Sequence, residues 1–236
     1  MDKKPEYESI DDKYIILNSI SEGNFGEVFL VMEKKEKIQY AAKILFKDDK
    51  HFDQKIKLIK TITNLNSPYI INYIESSKEG KIKIKGLDNN FITKQYVIYE
   101  YAPKKTICEY LLLPNSNILE EKYAKILFKY ILKGIQAMHK AGICHRDIKL
   151  GNILLGDKFK PRICDFGFSF ECKDTKLIGK CGTWDYCAPE IIRKIGYKPY
   201  DGKKADIFSL GITLLYIVSG TQQDDALSEF IQYKED

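Results

Sequence analysis

Three short segments in the middle of the chain constrain its fold and chemistry more than any other feature. They are His145–Asn152 (HRDIKLGN), Asp165–Gly167 (DFG) and Ala188–Glu190 (APE). The first segment carries an acid, a lysine and an asparagine, and the second places an acid before a glycine that can turn sharply. Phosphoryl transfer needs oxygen ligands for Mg²⁺, a base for a hydroxyl and a cation for developing charge. In this order and at this spacing, the segments predict a phosphoryl-transfer site.

The hydrophobic pattern changes character along the chain. Apolar runs bounded by turn residues predict strands at Tyr14–Ile20, Val28–Val31, Gln39–Leu45, Ile70–Ile74 and Tyr96–Tyr101. Helical spacing predicts helices over His51–Asn66, Leu119–Lys140 and Lys204–Ser219. The last of these is apolar nearly all round, so it is expected to be a buried central helix. A β-rich first part is thus followed by an α-rich second part.

The three motifs together resemble the catalytic core of eukaryotic-type protein kinases, serine/threonine branch, over roughly residues 14–220. The resemblance implies an α+β, two-lobed protein-kinase-like fold. A tail (1–13) would precede the kinase domain (14–236), with a small β-rich N-lobe (14–103) and a larger, partial α-helical C-lobe (104–236). The family's last helices are expected to be missing, which would make the chain a fragment, an incomplete gene model or a truncated paralogue.

The resemblance also implies a nucleotide site. Ile20–Val28 is similar to the kinase glycine-rich loop, with Ser21 in place of the first glycine and Gly23 and Gly26 as the second and third. Glycines let backbone N–H groups approach phosphate oxygens closely. Lys43 matches the lysine that reaches the α- and β-phosphates, and its apolar neighbours predict that it is aimed inward.

The remaining contacts to ATP follow from the same resemblance. Adenine would pack against Val28, Ala41 and Leu154. The hinge, which includes Glu100 and Ala102, would bond the adenine edge through its backbone. All of these apolar residues are equally compatible with an ordinary protein core, and only the kinase motifs make them a predicted pocket.

The catalytic groups are also assigned by resemblance. Asp147 would accept the proton of a substrate hydroxyl, and Lys149 would stabilise charge on the phosphoryl group. Asn152 and Asp165 would hold Mg²⁺, since this ion prefers oxygen ligands. Thr183 matches the threonine that contacts both the base and the lysine, which is typical of the serine/threonine branch.

Two positions depart from the family pattern. Leu58 stands where the family has a glutamate that pairs with Lys43, and either Asp53 or Gln54 could replace that acid if the helix were shifted. The second is Gly179, at the family's usual phosphorylation position two residues before the Cys-Gly-Thr motif. Thr175 is the only hydroxyl between Glu171 and Thr183, and Arg146 could pair with it if it were phosphorylated. Asp206, near the start of the helix predicted to be buried, matches the family residue that anchors the catalytic loop.

Composition narrows the class of partner. The net charge of +5 is small for a chain of this length and argues against nucleic acid as a partner. No apolar run is long enough for a membrane span and the first residues do not form a signal peptide, so we expect a cytoplasmic (intracellular) protein. Six cysteines without a C-x-x-C pair predict reduced thiols rather than a zinc site.

The sequence therefore predicts a serine/threonine protein kinase that uses ATP and Mg²⁺ to phosphorylate Ser/Thr hydroxyls of protein substrates. The alternative is a pseudokinase or truncated paralogue that acts as a nucleotide-binding or scaffolding module, which Ser21, Leu58 and the expected absence of the last helices favour. A small-molecule kinase of related fold is a third hypothesis. The segments around Thr183 and Ala188–Glu190 resemble a peptide-docking surface and argue against this third hypothesis.

Overall fold

The computed structural model describes residues 6–86, 91–111, 119–172, 177–192 and 199–219. The chain divides into two compact units. The first consists of residues 1–60 and 71–102, and the second of residues 61–70 and 103–236.

The first unit is built around a closed, six-stranded antiparallel barrel. Its strands are β1 (Tyr7–Ile10), β2 (Tyr14–Glu22), β3 (Gly26–Glu33), β4 (Gln39–Leu45), β5 (Tyr73–Ile84) and β6 (Phe91–Glu100). They are ordered β1-β2-β3-β4-β6-β5, and β5 pairs with β1 to close the barrel. Helix α1 (Phe52–Thr63) lies between β4 and β5 in the chain. Alternate residues of the strands, among them Phe29, Ala42 and Ile98, fill the barrel core.

Strand β1 corrects the prediction that residues 1–13 form a tail, because residues 7–10 of that stretch pair with both β2 and β5. Ile10 is fully buried in the barrel core. The connection to β2 turns at Asp11 and Asp12, which have φ values of 47° and 52°, and Lys13 N–H donates to the Ile10 carbonyl at 2.9 Å. This is the backbone that a two-residue hairpin needs, and aspartate tolerates it without the glycine that usually signals it.

The predicted strand at Ile70–Ile74 also differs from the structure. Strand β5 begins only at Tyr73, and Ile70 forms a single bridge with Ile163 in the second unit. Ile70 and Ile71 are both buried although they are adjacent in the chain. Successive side chains of a regular strand point to opposite faces, so this pair of buried neighbours belongs to an irregular segment.

We expect Tyr96→Phe to lower the free energy of unfolding by about 1–2 kcal/mol, because a partly buried hydrogen bond to a carboxylate is lost. Tyr96 is only 3% exposed, and its hydroxyl donates to Asp11 Oδ2 at 2.7 Å. Burial raises the pKa of Tyr96, so the hydroxyl keeps its proton and remains a donor. Urea unfolding measures the change. Tyr40→Phe, at a half-buried tyrosine of the same barrel, is the control, and an equal loss in both variants would contradict the assignment.

The second unit is mainly helical. Its helices are α2 (Ile107–Leu111), α3 (Glu121–Lys140), α4 (Pro189–Ile192) and α5 (Gly202–Ser219). Its strands are β7 (Ile143–Cys144), β8 (Ile153–Leu155), β9 (Pro161–Ile163) and β10 (Phe170–Glu171). Strand β7 pairs with β10 and β8 with β9, in both cases antiparallel. Helices α3 and α5 contact each other and β7, and these contacts place the loops between the short strands beside the two long helices.

Helix α5 begins two residues earlier than predicted and is buried on only part of its surface. Asp201 Oδ1 accepts the N–H groups of Lys203 and Lys204 at 2.9 and 3.2 Å, which caps the helix start. Nine of its residues are buried, but Ile207 and Val218 are exposed. The prediction that helix α5 is buried is therefore wrong for one of its faces.

The sequence predicts that the chain has no membrane-spanning segment. Within the described ranges, every helix falls short of the length and apolar character that crossing a membrane would require. All six cysteines are free thiols. Among the described residues, no three His, Cys, Asp or Glu side chains are grouped so as to hold a metal ion.

Candidate active site

The glycine-bearing turn of the first unit connects β2 and β3. Gly23 N–H donates to the Gly26 carbonyl at 3.0 Å, and Phe46 N–H donates to the Phe25 carbonyl at 3.1 Å. A Cβ at Gly26 would overlap the backbone carbonyl of Ile44, whereas one at Gly23 would meet its nearest neighbour, the Gly26 carbonyl, at 3.9 Å. Gly26 is therefore required for the close approach of β3 to β4. Ser21 is exposed and lies opposite Val28 in the ladder.

Lys43 lies on the face of the sheet that points away from the barrel core. Its cross-strand neighbours are Val28 on β3 and Val97 on β6, and Ala41 is on the same face two residues earlier. The adjacent Ala42 belongs to the barrel core. Because side chains alternate along a strand, Lys43 is half-buried beside Val28 and Ala41 instead of inside the barrel. The three residues predicted for one nucleotide face thus share a face.

The end of β6 is held by Asn72, which sequence reasoning did not identify. Glu100 N–H donates to the Asn72 carbonyl at 3.0 Å, and Asn72 Nδ2 donates to Glu100 Oε2 at 2.8 Å. Ala102 is buried two residues later. The paired amide and carboxylate place the backbone after β6 in a defined position. Because the two residues are far apart in the chain, no local pattern predicts their contact.

Helix α1 includes Leu58, at the position where the family resemblance places a glutamate. Leu58 is half-buried, and Gln54 is exposed. Asp53 forms an ion pair with Lys78 at 2.5 Å, with 73% of its side chain exposed. The Asp53 carboxylate therefore pairs at the surface with Lys78 of β5.

In the second unit, three predicted site residues meet around the carboxylate of a fourth, Asp147. Lys149 Nζ donates to Thr183 Oγ1 at 2.6 Å, and Thr183 Oγ1 donates to Asp147 Oδ1 at 2.8 Å. Lys149 Nζ also lies 3.3 Å from Asp147 Oδ2. Asn152 Nδ2 donates to the same Oδ2 at 2.8 Å. Both oxygens of a carboxylate that is only 6% exposed are thus held by donors, which fixes its orientation.

The geometry of Asn152 fits a role as an oxygen ligand. Its Nδ2 donates both to Asp147 Oδ2 and to the Asp147 backbone carbonyl, each at 2.8 Å. Both amide hydrogens are used in this way, so Oδ1 is directed elsewhere and can accept a cation. Cys164 N–H donates to the Asn152 carbonyl at 3.0 Å, which brings the neighbouring Asp165 carboxylate to the same part of the unit. An amide oxygen and a carboxylate are suitable ligands for Mg²⁺.

Asp165 itself sits in an unusual backbone conformation. Its φ is 58°, in the left-handed region, and its side chain accepts the Gly167 N–H at 3.4 Å. It precedes a short 3-10 turn at Phe166–Phe168. Aspartate accepts this conformation more readily than most residues because its short side chain bonds the local backbone.

The catalytic loop is anchored to helix α5 by Asp206. This buried carboxylate accepts His145 N–H and Arg146 N–H, each at 2.8 Å. His139 Nε2 donates to its Oδ2 at 2.8 Å. Arg146 has a φ of 67°, and a non-glycine residue in that region is maintained only where the surroundings hold it. Asp206 thus supports the turn that presents Asp147.

His145 acts within the same loop as a structural residue. Its Nδ1 accepts Asp147 N–H at 3.2 Å and its Nε2 donates to the Cys164 carbonyl at 3.0 Å. Those two bonds define a neutral ring with the proton on Nε2. The ring meets that of Phe166 edge to face, with centroids 5.8 Å apart. His145 therefore links the loop that carries Asp147 to the segment that carries Asp165.

Thr183 reaches Asp147 because Gly182 permits a close backbone approach. Gly182 has a φ of 94°, and a Cβ there would lie 2.7 Å from the Arg146 carbonyl oxygen. A side chain would force the two segments apart. Leu154, predicted for the adenine site, is half-buried on β8. Thr175 lies outside the described residues; Arg146, its predicted partner, donates through Nε to the Phe168 carbonyl at 2.6 Å.

The sequence of the chain is similar to those of known protein kinases. The sequence model of the family described as "Protein kinase domain" matches residues 14–231. "Serine/threonine-protein kinase SRK2A" of Physcomitrium patens is 32% identical over 215 residues, which is 89% of this chain and 56% of that protein. "Sperm motility kinase 2B" of Mus musculus is 29% identical over 222 residues, 94% of this chain and 42% of that protein. The chain spans about half the length of these relatives.

The chain belongs to the protein kinase domain family. The family resemblance predicted from its three motifs is thereby confirmed, as is the kinase-like fold. Members of the family generally use ATP and Mg²⁺. Within the second unit the structure brings together Asp147, Lys149, Asn152 and Thr183; within the first it places Lys43, Val28 and Ala41 on one face. His139, which bonds Asp206, was missed because nothing in the local sequence marks it.

Proposed function

We propose that this chain is a serine/threonine protein kinase domain that transfers the γ-phosphoryl group of ATP to Ser/Thr hydroxyls of protein substrates. The observation that carries the proposal is the hydrogen-bonded series Lys149–Thr183–Asp147. A lysine and a threonine arranged around the acid are the serine/threonine form of the family pattern. The printed name of the Physcomitrium patens relative supports the same branch.

The chemistry assigned to these side chains follows from their positions. Asp147 orients the substrate hydroxyl and takes its proton as the oxygen attacks the γ-phosphorus. The bond from that phosphorus to the β,γ-bridging oxygen breaks, and ADP leaves. The Lys149 ammonium neutralises charge on the transferring group. Asn152 and Asp165 would hold Mg²⁺, which supplies positive charge to the ATP phosphates.

The nucleotide contacts are proposed from the first unit and from β8. The residues assigned to ATP are Ser21, Gly23, Gly26, Val28, Ala41, Lys43, Glu100, Ala102, Leu154 and Asp165. Support comes from the shared sheet face of Val28, Ala41 and Lys43 and from the ordered backbone at Glu100. We assign the first unit as the N-lobe and the second as the C-lobe of the kinase. Six free cysteines support a reducing compartment, and we place the protein in the cytoplasm.

The experiment that tests the proposal measures transfer from γ-labelled ATP to a generic protein acceptor in the presence of Mg²⁺. Phosphoamino-acid analysis then distinguishes phosphoserine and phosphothreonine from phosphotyrosine. Label on serine or threonine that disappears with Asp147→Asn supports the proposal. Label on tyrosine alone, or transfer equal in the Asp147 variant, would overturn it.

The alternative, a nucleotide-binding or scaffolding module without turnover, is favoured by one observation. Leu58 stands at the position of the missing acid, and the nearby Asp53 is paired with Lys78. Introducing Leu58→Glu separates the two functions. If the native chain is inactive because α1 supplies a leucine instead of the family's glutamate at this position, this variant should gain transfer by about 100-fold, since placement is a large part of catalysis. A native chain that is already active should gain little. Leu58→Gln, of similar size but uncharged, is the control.

Thr183→Ala should lower kcat by about 100-fold, because Asp147 and Lys149 then lose the hydroxyl that connects them. Thr183→Ser keeps the hydroxyl and should retain most of the activity. The KM for ATP should be nearly unchanged in both variants if the role of Thr183 is to orient the acid. Steady-state kinetics measures both constants, and equal losses in the alanine and serine variants would show that the methyl group, not the hydroxyl, matters.

A further inference from the structure

The second unit contains a cavity of about 410 Å³ that includes none of the residues proposed for catalysis or for ATP. Its walls are helix α2, the first half of helix α3, and the turn between β8 and β9. We call it the α2–α3 groove. It is lined by Ile107 and Tyr110 on α2, Tyr123 and Ile126 on α3, and Phe159 on the turn, together with further apolar residues. The volume is in the range of sites that bind small ligands or a few side chains.

Three large side chains that line the groove are about half exposed. Tyr123 is 52% exposed, Ile126 is 51% exposed and Phe159 is 50% exposed. Single exposed apolar residues are common on protein surfaces. Three that converge on one concave site are characteristic of a binding surface.

The turn between β8 and β9 presents its aromatic residue in an unfavourable backbone conformation. Lys158 and Phe159 have φ values of 54° and 56°, and neither is a glycine, asparagine or aspartate. Bulky residues in the left-handed region cost free energy, and such strain is concentrated at functional sites. Phe159 packs edge to face on Tyr110 with centroids 5.5 Å apart. The strained turn thus holds Phe159 at the edge of the groove.

The charged side chains that line the groove have one sign. Among the described residues, the charged ones in its lining are Lys158 and Lys160. Lys104 Nζ lies 5.8 Å from the centroid of the Phe159 ring, and Lys133 Nζ lies 5.8 Å from that of the Tyr130 ring. In the part of the chain that the structure describes, the lysines of α3 that form ion pairs are Lys122 and Lys125. A ligand with an anionic group beside its apolar part would be complementary to this rim.

We propose that the α2–α3 groove is a docking site for a short segment of a partner protein in which one or two large apolar side chains are followed by acidic residues. The apolar side chains enter the cavity between Tyr110, Ile126 and Phe159, and the acidic residues pair with Lys158 and Lys160. This site acts independently of phosphoryl transfer and goes beyond the proposed kinase activity. It would bring a partner to the kinase domain without occupying the catalytic groups.

The probe is a library of random dodecapeptides displayed on phage and selected on the immobilised full chain. The expected result is enrichment of peptides that combine large apolar residues with net negative charge. An enriched peptide, synthesised with a fluorescent label, should bind about 10-fold or more weakly to Ile126→Ser and to the double variant Lys158→Glu/Lys160→Glu. Fluorescence anisotropy measures the dissociation constants, and no catalytic activity is needed for the measurement.

Matched controls lie on the same helix outside the groove. Leu132→Ser replaces an exposed apolar residue of α3, and Lys140→Glu reverses an exposed charge near its end. Both should bind the peptide as the native chain does. No enrichment, enrichment of peptides without acidic residues, or equal weakening in the controls would overturn the proposal. It would also be overturned if replacing Leu112, Leu113 and Ile118 by serine tightened binding about 10-fold, since the chain's own segment would then be the occupant.

Discussion

Replacing Asp147 by asparagine should lower kcat about 100-fold to 10,000-fold, the range expected when a proton acceptor is removed. The change keeps the shape of the side chain, so Thr183 can still donate to the remaining oxygen. It removes the negative charge that accepts the hydroxyl proton, and it places an amide nitrogen in reach of the Asn152 and Lys149 donors. Transfer from labelled ATP to a protein acceptor measures the loss.

Two controls make the Asp147 result specific. Asp157→Asn removes an exposed carboxylate in the same unit and should leave transfer unchanged. The thermal midpoint of the Asp147 variant should stay near that of the native chain, which separates a loss of chemistry from a loss of folding. If transfer fell by less than about 10-fold with folding intact, Asp147 would not be the proton acceptor.

The second large effect concerns stability. We expect Asp206→Asn to lower the free energy of unfolding by about 2–4 kcal/mol, because buried hydrogen bonds to a carboxylate are replaced by weaker or unfavourable contacts. His145 N–H and Arg146 N–H both donate to Asp206, one to each oxygen, and an amide can accept only one of them. An amide nitrogen at the Oδ2 position would leave both His145 and His139 without their acceptor, and one at the Oδ1 position would do so for Arg146. Urea unfolding followed by circular dichroism measures the difference.

The Asp206 variant should also lose activity, because Arg146 is held at a φ of 67° next to Asp147. The exposed Asp157→Asn variant again serves as the comparison, with an expected change within about 0.5 kcal/mol. A stability loss in Asp206→Asn as small as that of the control would mean that the loop is held by other contacts.

Much of the fold could be predicted from the sequence because local patterns are strong there. The helix at Leu119–Lys140 and the strand at Gln39–Leu45 appear within two residues of their predicted limits. The missed strand β1 shows where such patterns fail. Its Asp11–Asp12 turn lacks the glycine or asparagine that marks a hairpin, and the strand pairs with β2 and with β5, which is distant in the chain.

The residues of the candidate site could also be predicted from the sequence, but their contacts could not. The motifs identified Asp147, Lys149, Asn152 and Thr183 because each of these residues occupies a fixed position in the family pattern. Their contacts were not in any pattern: Thr183 is 36 residues from Asp147, and Asp206 is 61 residues from His145. The charge and apolar surface of the α2–α3 groove could not be predicted either, because α2, α3 and the turn at Phe159 meet only in the folded unit.

The sequence by itself determined the family, the order of the long helices and of most barrel strands, and the identity of the acid, lysine and amide groups available for chemistry. Tertiary structure alone decided which donor holds each oxygen of Asp147, which face of β4 carries Lys43, and how Gly182 lets two segments touch. The physical reason is one of range. Propensity and periodicity act over a few residues, whereas hydrogen-bond partners and close approaches are set by segments that only the complete fold brings within 3 Å or so of each other.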